Sequence, residues 1–156
     1  MTLEAHAVTV EPLAASDVVG VAQCLVIDAD VFPTESVTFR TGWGQSQLWA
    51  ARGADRRVVG FIALVRRDTD RYIEAIGVSR GSQRQGIGRA LMEAAIAHAR
   101  EVGARKLSLH VSVANRGAIE LYRSCGFSPN RRVHRFYRPG LFHESDDAYE
   151  MVRLTT

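Results

Sequence analysis

Residues 6–13 place Val8 and Val10 two apart ahead of Pro12, which predicts a short first strand ending near Glu11. Ser16 or Asp17 stands where a helix cap belongs. Val18, Val21, Ala22, Leu25 and Val26 then recur at the helical period until Pro33 ends the segment. Residues 34–46, with Gly42 and Gly44 around Trp43, keep neither period and read as a short helix or a loop covering a site. From Gln47 the pattern changes. Leu48 to Arg52 and Arg57 to Val65 are rich in Val, Leu, Ile and aromatics around Gly53-Ala54-Asp55-Arg56, a hairpin signature. Asp68 to Arg71 then turns into a third strand over 72–78.

Gly86-Ile87-Gly88 opens a helix whose apolar stripe, Ile87, Leu91, Met92, Ala95, Ile96 and Ala99, continues to Val102, with Gly103 as its C-terminal cap. Leu107, Leu109, Val111 and Val113 alternate with Ser108, His110 and Ser112, which predicts a strand with one buried face and His110 on the polar one. Asn115 can cap a helix carrying Ala118, Ile119, Leu121, Tyr122 and Cys125 up to Gly126-Phe127, and two strands remain near 131–138 and 147–154. The order is β-α-(loop or α)-β-β-β-α-β-α-β-β. It predicts a mixed α/β (α+β-like) sheet that begins as an antiparallel meander.

Composition narrows this picture in three ways. A chain of 156 residues supports one well-formed core, so residues 1–156 read as a single domain, and no low-complexity tract argues otherwise. The net charge of +3, with basic residues gathered at 80–89 and 131–138, suits a phosphate-bearing small ligand as well as nucleic acid. A charge run such as 131–138 is ordinarily a solvated face, so nucleic acid is not the expected partner. Cys24 and Cys125 have no paired spacing and no His/Cys neighbours suited to a metal, so they read as free buried thiols. With no signal-peptide pattern and no apolar run approaching the roughly 20 residues that span a bilayer, a soluble cytoplasmic protein without a membrane partner is expected.

The chemistry concentrates in the turn that follows the third strand. Gly86 and Gly88 allow close approach of the main chain, the first N–H groups of the helix point outward, and Arg80, Arg84 and Arg89 add charge. A G-x-G turn alone is usually ordinary turn chemistry. This one lacks the lysine and Ser/Thr of a P-loop and the first glycine of a dinucleotide fingerprint. What remains is a phosphate or pyrophosphate held mainly by main-chain N–H groups, without an essential metal.

Gln83-Arg84-Gln85-Gly86-Ile87-Gly88 resembles the Q/R-x-x-G-x-G/A signature of the GNAT acetyltransferase superfamily. Asn115-Arg-Gly-Ala118-Ile-Glu-Leu121-Tyr122-Arg-Ser-Cys-Gly126-Phe127 resembles its N-x-x-A-x-x-L-Y-x-x-x-G-F segment. The resemblance implies a GNAT fold, with a central, mostly antiparallel twisted sheet flanked by helices, and acetyl-CoA as co-substrate with no metal. It implies that the backbone of Ile76, Gly77 and Val78 meets the acyl and pantetheine part, and that Gln83, Arg84, Gln85, Gly86, Ile87, Gly88 and Arg89 take the pyrophosphate. Asn115 would lie near the pantetheine arm. Tyr122 would sit beside the thioester sulfur, to protonate or hold the leaving thiolate; without the motif it reads as a core aromatic at helical spacing.

An amine acceptor must lose a proton before it attacks, and two side chains are candidates for the base. His110 titrates near neutral pH, and its bland reading is a solvated strand histidine. Glu74 shares a strand face with Tyr72, and its bland reading is an exposed or ion-paired carboxylate. Tyr72-Ile-Glu-Ala-Ile-Gly-Val and His110-Val-Ser-Val-Ala-Asn115 resemble the protein N-terminal acetyltransferases, some of which carry Tyr and His at these positions. The ribosomal-protein-alanine type has Glu in place of His110. Arg135-Phe136-Tyr137 resembles their aromatic substrate loop, and Phe32-Pro33 matches their first substrate loop in part. By this likeness Phe32, Tyr72 and Tyr137 bind the acceptor, a protein or peptide α-amino group. A small amine (polyamine, amino acid or antibiotic) and a non-catalytic acyl-CoA sensor are the alternatives, and monomer and homodimer are both open.

Overall fold

The computed structural model describes residues 7–31, 46–136 and 147–156. In chain order the elements are β1 (Thr9–Leu13), α1 (Val18–Val31), β2 (Gln47–Arg52), β3 (Val58–Arg67), β4 (Asp70–Val78), a 3-10 turn (Arg80–Ser82), α2 (Ile87–Glu101), β5 (Lys106–Ser112), α3 (Arg116–Ser124), β6 (Ser128–Val133) and β7 (Ala148–Leu154). The strands form one seven-stranded sheet in the order β1-β2-β3-β4-β5-β7-β6. β4 and β5 run parallel, while β1·β2, β2·β3, β5·β7 and β6·β7 are antiparallel. The predicted order therefore holds for every described element. The stretch 34–45 lies outside the described residues.

The chain divides into two compact units, Met1–Val65 with Glu74–Ala95, and Arg66–Ile73 with Ile96–Thr156. In the first, Leu13, Val21, Cys24, Ile27, Leu48, Ala50, Val58, Phe61 and Ala63 form one apolar cluster. Asp17 starts α1: its Oδ1 accepts the Gly20 N–H at 2.9 Å and its Oδ2 accepts Arg52 Nη2 at 2.6 Å. The buried stripe of α1 differs from the predicted one. Gly20, Val21, Cys24, Ile27 and Asp28 face inward, whereas Val18 and Val26 are 73% and 69% exposed. The helix is apolar on most of its circumference, so the period alone does not select a face. Backbone approach does, because a Cβ on Gly20 would stand 2.8 Å from Leu13 Cδ1. β1 also runs past Glu11, with Pro12 opposite Trp49. As an edge strand, β1 tolerates the missing N–H.

Two glycines bring helices onto the central strands of this unit. A Cβ on Gly60 would meet Ile87 Cγ2 at 3.1 Å and Leu91 Cδ1 at 3.2 Å, so α2 begins against β3. A Cβ on Gly77 would meet the Phe61 ring at 3.0 Å and Ile27 at 3.4 Å. Gly77 therefore has a packing reason as well as the functional one its motif implies.

In the second unit β5 buries Leu107, Leu109 and Val111 and half-buries Ser108, His110 and Ser112, as alternation predicts; the strand ends at Ser112, and Val113 belongs to the following turn. The β4·β5 ladder pairs Arg71 with Leu107 and Tyr72 with Ser108, steadied by the Lys106 N–H donating to Asp70 Oδ1 at 3.2 Å. β6 starts three residues before the predicted 131, directly after Phe127, and ends at Val133. It is an edge strand, which tolerates Pro129 and a bulge between Pro129 and Arg131. Helix α2 closes on Gly103 at φ +71°, with the Ala104 N–H donating to Ala99 O at 2.9 Å. Among the described residues no helix is long and apolar enough to cross a membrane.

Candidate active site

In the first unit β4 runs into a tightly bonded turn. Ser79 N–H donates to Val59 O at 2.8 Å, Ser82 N–H to Ser79 O at 2.9 Å, and Gln83 Nε2 to Val78 O at 3.1 Å. Arg84 and Gly86 then both take left-handed backbone, at φ +61° and +80°, and α2 starts at Ile87. Ile87 is buried while Gln83, Arg84, Gln85, Gly86 and Arg89 are exposed and Gly88 is half-buried. A Cβ on Gly86 would meet nothing within 4 Å, so open space lies over the loop. The first N–H groups of a helix lack intrahelical acceptors, and here they rise from a loop with room above it and arginines beside it. That arrangement fits a phosphate group. One expected contributor is committed elsewhere: Arg80 Nε and Nη2 bond Asp30 Oδ2 and Asp30 O, at 3.2 and 3.0 Å, near the end of α1.

The second unit gathers a cluster of side chains around His110. Tyr72 Oη lies 2.8 Å from His110 Nδ1, with the ring centroids 5.5 Å apart. Phe136 stacks on the other side of the imidazole at 4.2 Å and 10°. Nε2 of His110 faces Glu150 Oε2 at 3.8 Å, across the β5·β7 ladder where the two residues are directly opposed. Arg67 lies 3.6 Å over the Tyr72 ring. The His110 side chain is 10% exposed, which overturns the reading of it as a solvated strand histidine. Burial, foremost, lowers its pKa from the usual 6.5; Glu150 acts in the opposite sense, and Arg67 and Arg131 reinforce the lowering. A neutral imidazole results, ready to accept a proton.

Tyr122 and Asn115 belong to α3. Asn115 Oδ1 accepts the Ala118 N–H at 3.2 Å as the N-cap, leaving the amide Nδ2 unused by the cap. At the other end Gly126 takes φ +89°, the Phe127 N–H donates to Tyr122 O at 3.0 Å, and the Gly126 N–H to Arg123 O at 2.9 Å. This is a Schellman cap. The Tyr122 and Phe127 rings supply its apolar contact at 6.3 Å. Much of the Y-x-x-x-G-F segment thus has a structural cause. Tyr122 is 8% exposed, and burial, with Cys125 adding to it, pushes its pKa up.

Glu74 is engaged in the first unit, accepting the Ser46 hydroxyl at 2.7 Å. Phe32 and Tyr137, expected to bind the acceptor, lie outside the described residues. Sequence reasoning missed Glu150 as a partner of His110. Its only signal was the matching of polar positions in β5 and β7, which needs the register to be known. Cys24 is fully buried and its thiol is pushed up to about 12 by that burial, whereas Cys125 is half-buried rather than buried. No group of three or more His, Cys, Asp or Glu suited to a metal ion gathers among the described residues.

A family model described as Acetyltransferase (GNAT) family matches residues 21–127, a stretch that runs through both units. The chain is 32% identical over 111 residues to the [ribosomal protein bS18]-alanine N-acetyltransferase of Escherichia coli K12, covering 71% of this chain and 74% of that one. It is 39% identical over 85 residues to the mycothiol acetyltransferase of Jonesia denitrificans, covering 53% of this chain and 27% of that one. The chain spans less than half the length of several of the curated relatives it matches. The crystal structure of the ribosomal-protein-S18-alanine N-acetyltransferase from Escherichia coli superposes with a TM-score of 0.82 at 25% identity, covering 96% of this chain and 95% of that one.

Proposed function

Because the chain belongs to the acetyltransferase (GNAT) family, we propose that it transfers an acetyl group from acetyl-CoA to a primary amine by direct attack in a ternary complex, with a polypeptide α-amino group as the leading acceptor. Acetyl-CoA, when bound, supplies the thioester. The main-chain N–H groups of residues 84–89 hold its pyrophosphate, with Arg84 and Arg89 adding charge, and the backbone of Ile76, Gly77 and Val78 orients the acyl and pantetheine part. Asn115 serves the pantetheine arm with the half of its amide that the helix cap does not use. We place the protein in the cytoplasm, consistent with both cysteines being free thiols.

His110 is the base, with Tyr72 as its hydrogen-bonded relay; Glu74, already holding Ser46, is the weaker candidate. The likeness to the ribosomal-protein-alanine N-acetyltransferase supports a polypeptide α-amino group as acceptor, and the acidity of the amines points the same way. An α-ammonium group has a pKa of about 7.7–8.0 and an alkylammonium about 10.4. From a base below the usual 6.5, the first deprotonation is uphill by at least about 1 unit and the second by about 4. The difference, roughly 4 kcal/mol, lies in the amines themselves and makes an α-amino group the easier acceptor for any base of this kind. Tyr122 is assigned to the departing thiolate. With its pKa raised above the usual 10, it stays protonated, and a thiol of about 8.5 cannot pull that proton off downhill. A hydrogen bond to sulfur is therefore its role rather than complete proton transfer.

The likeness to a mycothiol acetyltransferase favours a second reading, a small-molecule amine. A screen separates the two, following free thiol release with peptides of varied first residue beside amino acids and polyamines. Turnover with peptides supports the polypeptide reading. Turnover with small amines alone refutes it.

A further inference from the structure

We infer that Glu150 is a positioning residue that holds His110 in the tautomer with its proton on Nε2, so that Nδ1 receives the acceptor's proton through the Tyr72 hydroxyl. The inference rests on the reading of His110 as the base. The two ring nitrogens face chemically different partners. Nδ1 lies 2.8 Å from a phenolic oxygen, which can donate or accept, while Nε2 faces a carboxylate oxygen at 3.8 Å. An ionised carboxylate only accepts, so the nitrogen it faces is the one that carries the hydrogen. Tyr72 O–H then donates to the Nδ1 lone pair.

Glu150 is itself held in place. Its Oε1 accepts Asn130 Nδ2 at 2.7 Å, and Arg131 Nη2 lies 3.4 Å from Oε2. The Asn130 hydrogen bond, foremost, and Arg131 keep its carboxyl below the ordinary range, so it is ionised at neutral pH. Among the described residues, the charged and titratable groups around the imidazole are Tyr72 on β4, Arg67 on β3, Glu150 on β7 and Arg131 on β6, with the Phe136 ring stacked on it. Of these, Arg67 and Arg131 oppose an imidazolium, and Glu150 favours it.

The proton balance is simple. One N–H bond of the acceptor ammonium breaks, and its electron pair stays on nitrogen. The proton bonds to the Tyr72 oxygen as Tyr72's own proton passes to Nδ1. The product is a neutral amine and an imidazolium with hydrogen on both nitrogens, Nε2–H directed at Glu150. At 3.8 Å that contact is longer than a hydrogen bond, so Glu150 acts through its charge, orienting the N–H dipole of the neutral ring and attracting the imidazolium more strongly after the transfer.

The test uses the full chain, with ¹⁵N spectra of His110 and the pH dependence of kcat/KM read for Glu150→Gln and for Asn130→Ala, which loosens Glu150 without touching the ring. The wild type should show the Nε2–H tautomer. Glu150→Gln should mix or invert the tautomers, shift the acidic limb to lower pH and reduce kcat on the order of tenfold, within the roughly 100- to 10,000-fold that general-base catalysis supplies. CoA affinity should stay at the wild-type value. Asn130→Ala should move the tautomer and the limb in the same directions by less, and Glu150→Asp should restore part of both. An unchanged tautomer and acidic limb in Glu150→Gln overturn the inference. Should His110→Ala keep full turnover while Glu150→Gln still shifts the tautomer, the base reading fails and the placement of Glu150 stands.

Discussion

Among the described residues three glycines occupy left-handed backbone, Gly86, Gly103 and Gly126, and alanine at each tests a different part of the structure. An L residue in that region costs roughly 1–2 kcal/mol. Gly103, with φ +71° and no atom within 4 Å of a built Cβ, reports that cost alone. At Gly126 the Cβ would stand 3.0 Å from Arg153 Nε, the same nitrogen that donates to Cys125 O at 2.8 Å. Displacing it loses a charge-assisted hydrogen bond of about 1.5 kcal/mol, so Gly126→Ala should lose about 3 kcal/mol in all. Gly86 matches Gly103 in conformation and in empty surroundings. Its alanine should lose the same stability, but its methyl group enters the space assigned to pyrophosphate, and CoA affinity should fall on the order of tenfold, about 1.4 kcal/mol. Urea unfolding gives the stabilities and titration calorimetry the affinities. Wild-type CoA affinity in Gly86→Ala would remove the loop from the donor site. Equal losses at Gly126 and Gly103 would refute the role given to Arg153.

Tyr122→Phe should lower kcat on the order of tenfold with CoA affinity intact, since only one hydrogen bond to charge developing in the transition state is lost; unchanged turnover removes the hydroxyl from the mechanism. The acidic limb of kcat/KM should lie below pH 6.5, because burial lowers the pKa of His110 and the neutral base predominates above that lowered value. In His110→Ala that limb should vanish, and its persistence would assign the titration elsewhere. Asp147 is held below the ordinary carboxylate range by the Arg135 N–H first, then by Arg132 and His134. Its depressed folded pKa makes its stabilisation fully present above the unfolded-chain value of about 3.9, and lost as pH falls through the folded value. Asp147→Asn should therefore weaken the protein at pH 7, with a difference from the wild type that shrinks in acid unfolding series. Asp17→Ala removes both the cap on Gly20 and the acceptor of Arg52 Nη2 and should lower stability in urea unfolding.

Local patterns were legible and pairings were not. Alternation in β5 placed His110 on the side opposite Leu107, Leu109 and Val111, because a period of two is a property of the strand itself. The same reasoning could not insert β7 between β5 and β6, since that order depends on contacts across the sheet. Glu150 was missed for this reason: it becomes a neighbour of His110 only through the antiparallel register. Helix α1 was readable as a helix but not by face. Valines at 18 and 26 are as apolar as Val21, and the approach of Gly20 to Leu13 decided which side was buried. The turn from β4 into α2 was legible from its glycines. The Arg80 pairing was not, because Asp30 lies 50 residues earlier in the chain.

The cap that joins Tyr122 to Phe127 bears on how such chains drift over generations. Selection for a stable α3 terminus favours an aromatic ring at 122 whether or not the molecule turns over, because the ring supplies the cap's apolar contact. On the mechanism proposed above, selection for catalysis acts at this position on the hydroxyl oxygen alone. A lineage released from making product would therefore keep the ring, the glycine and the phenylalanine, and shed the hydroxyl at little structural cost. On that mechanism phenylalanine at 122 is the substitution that would mark a retired relative.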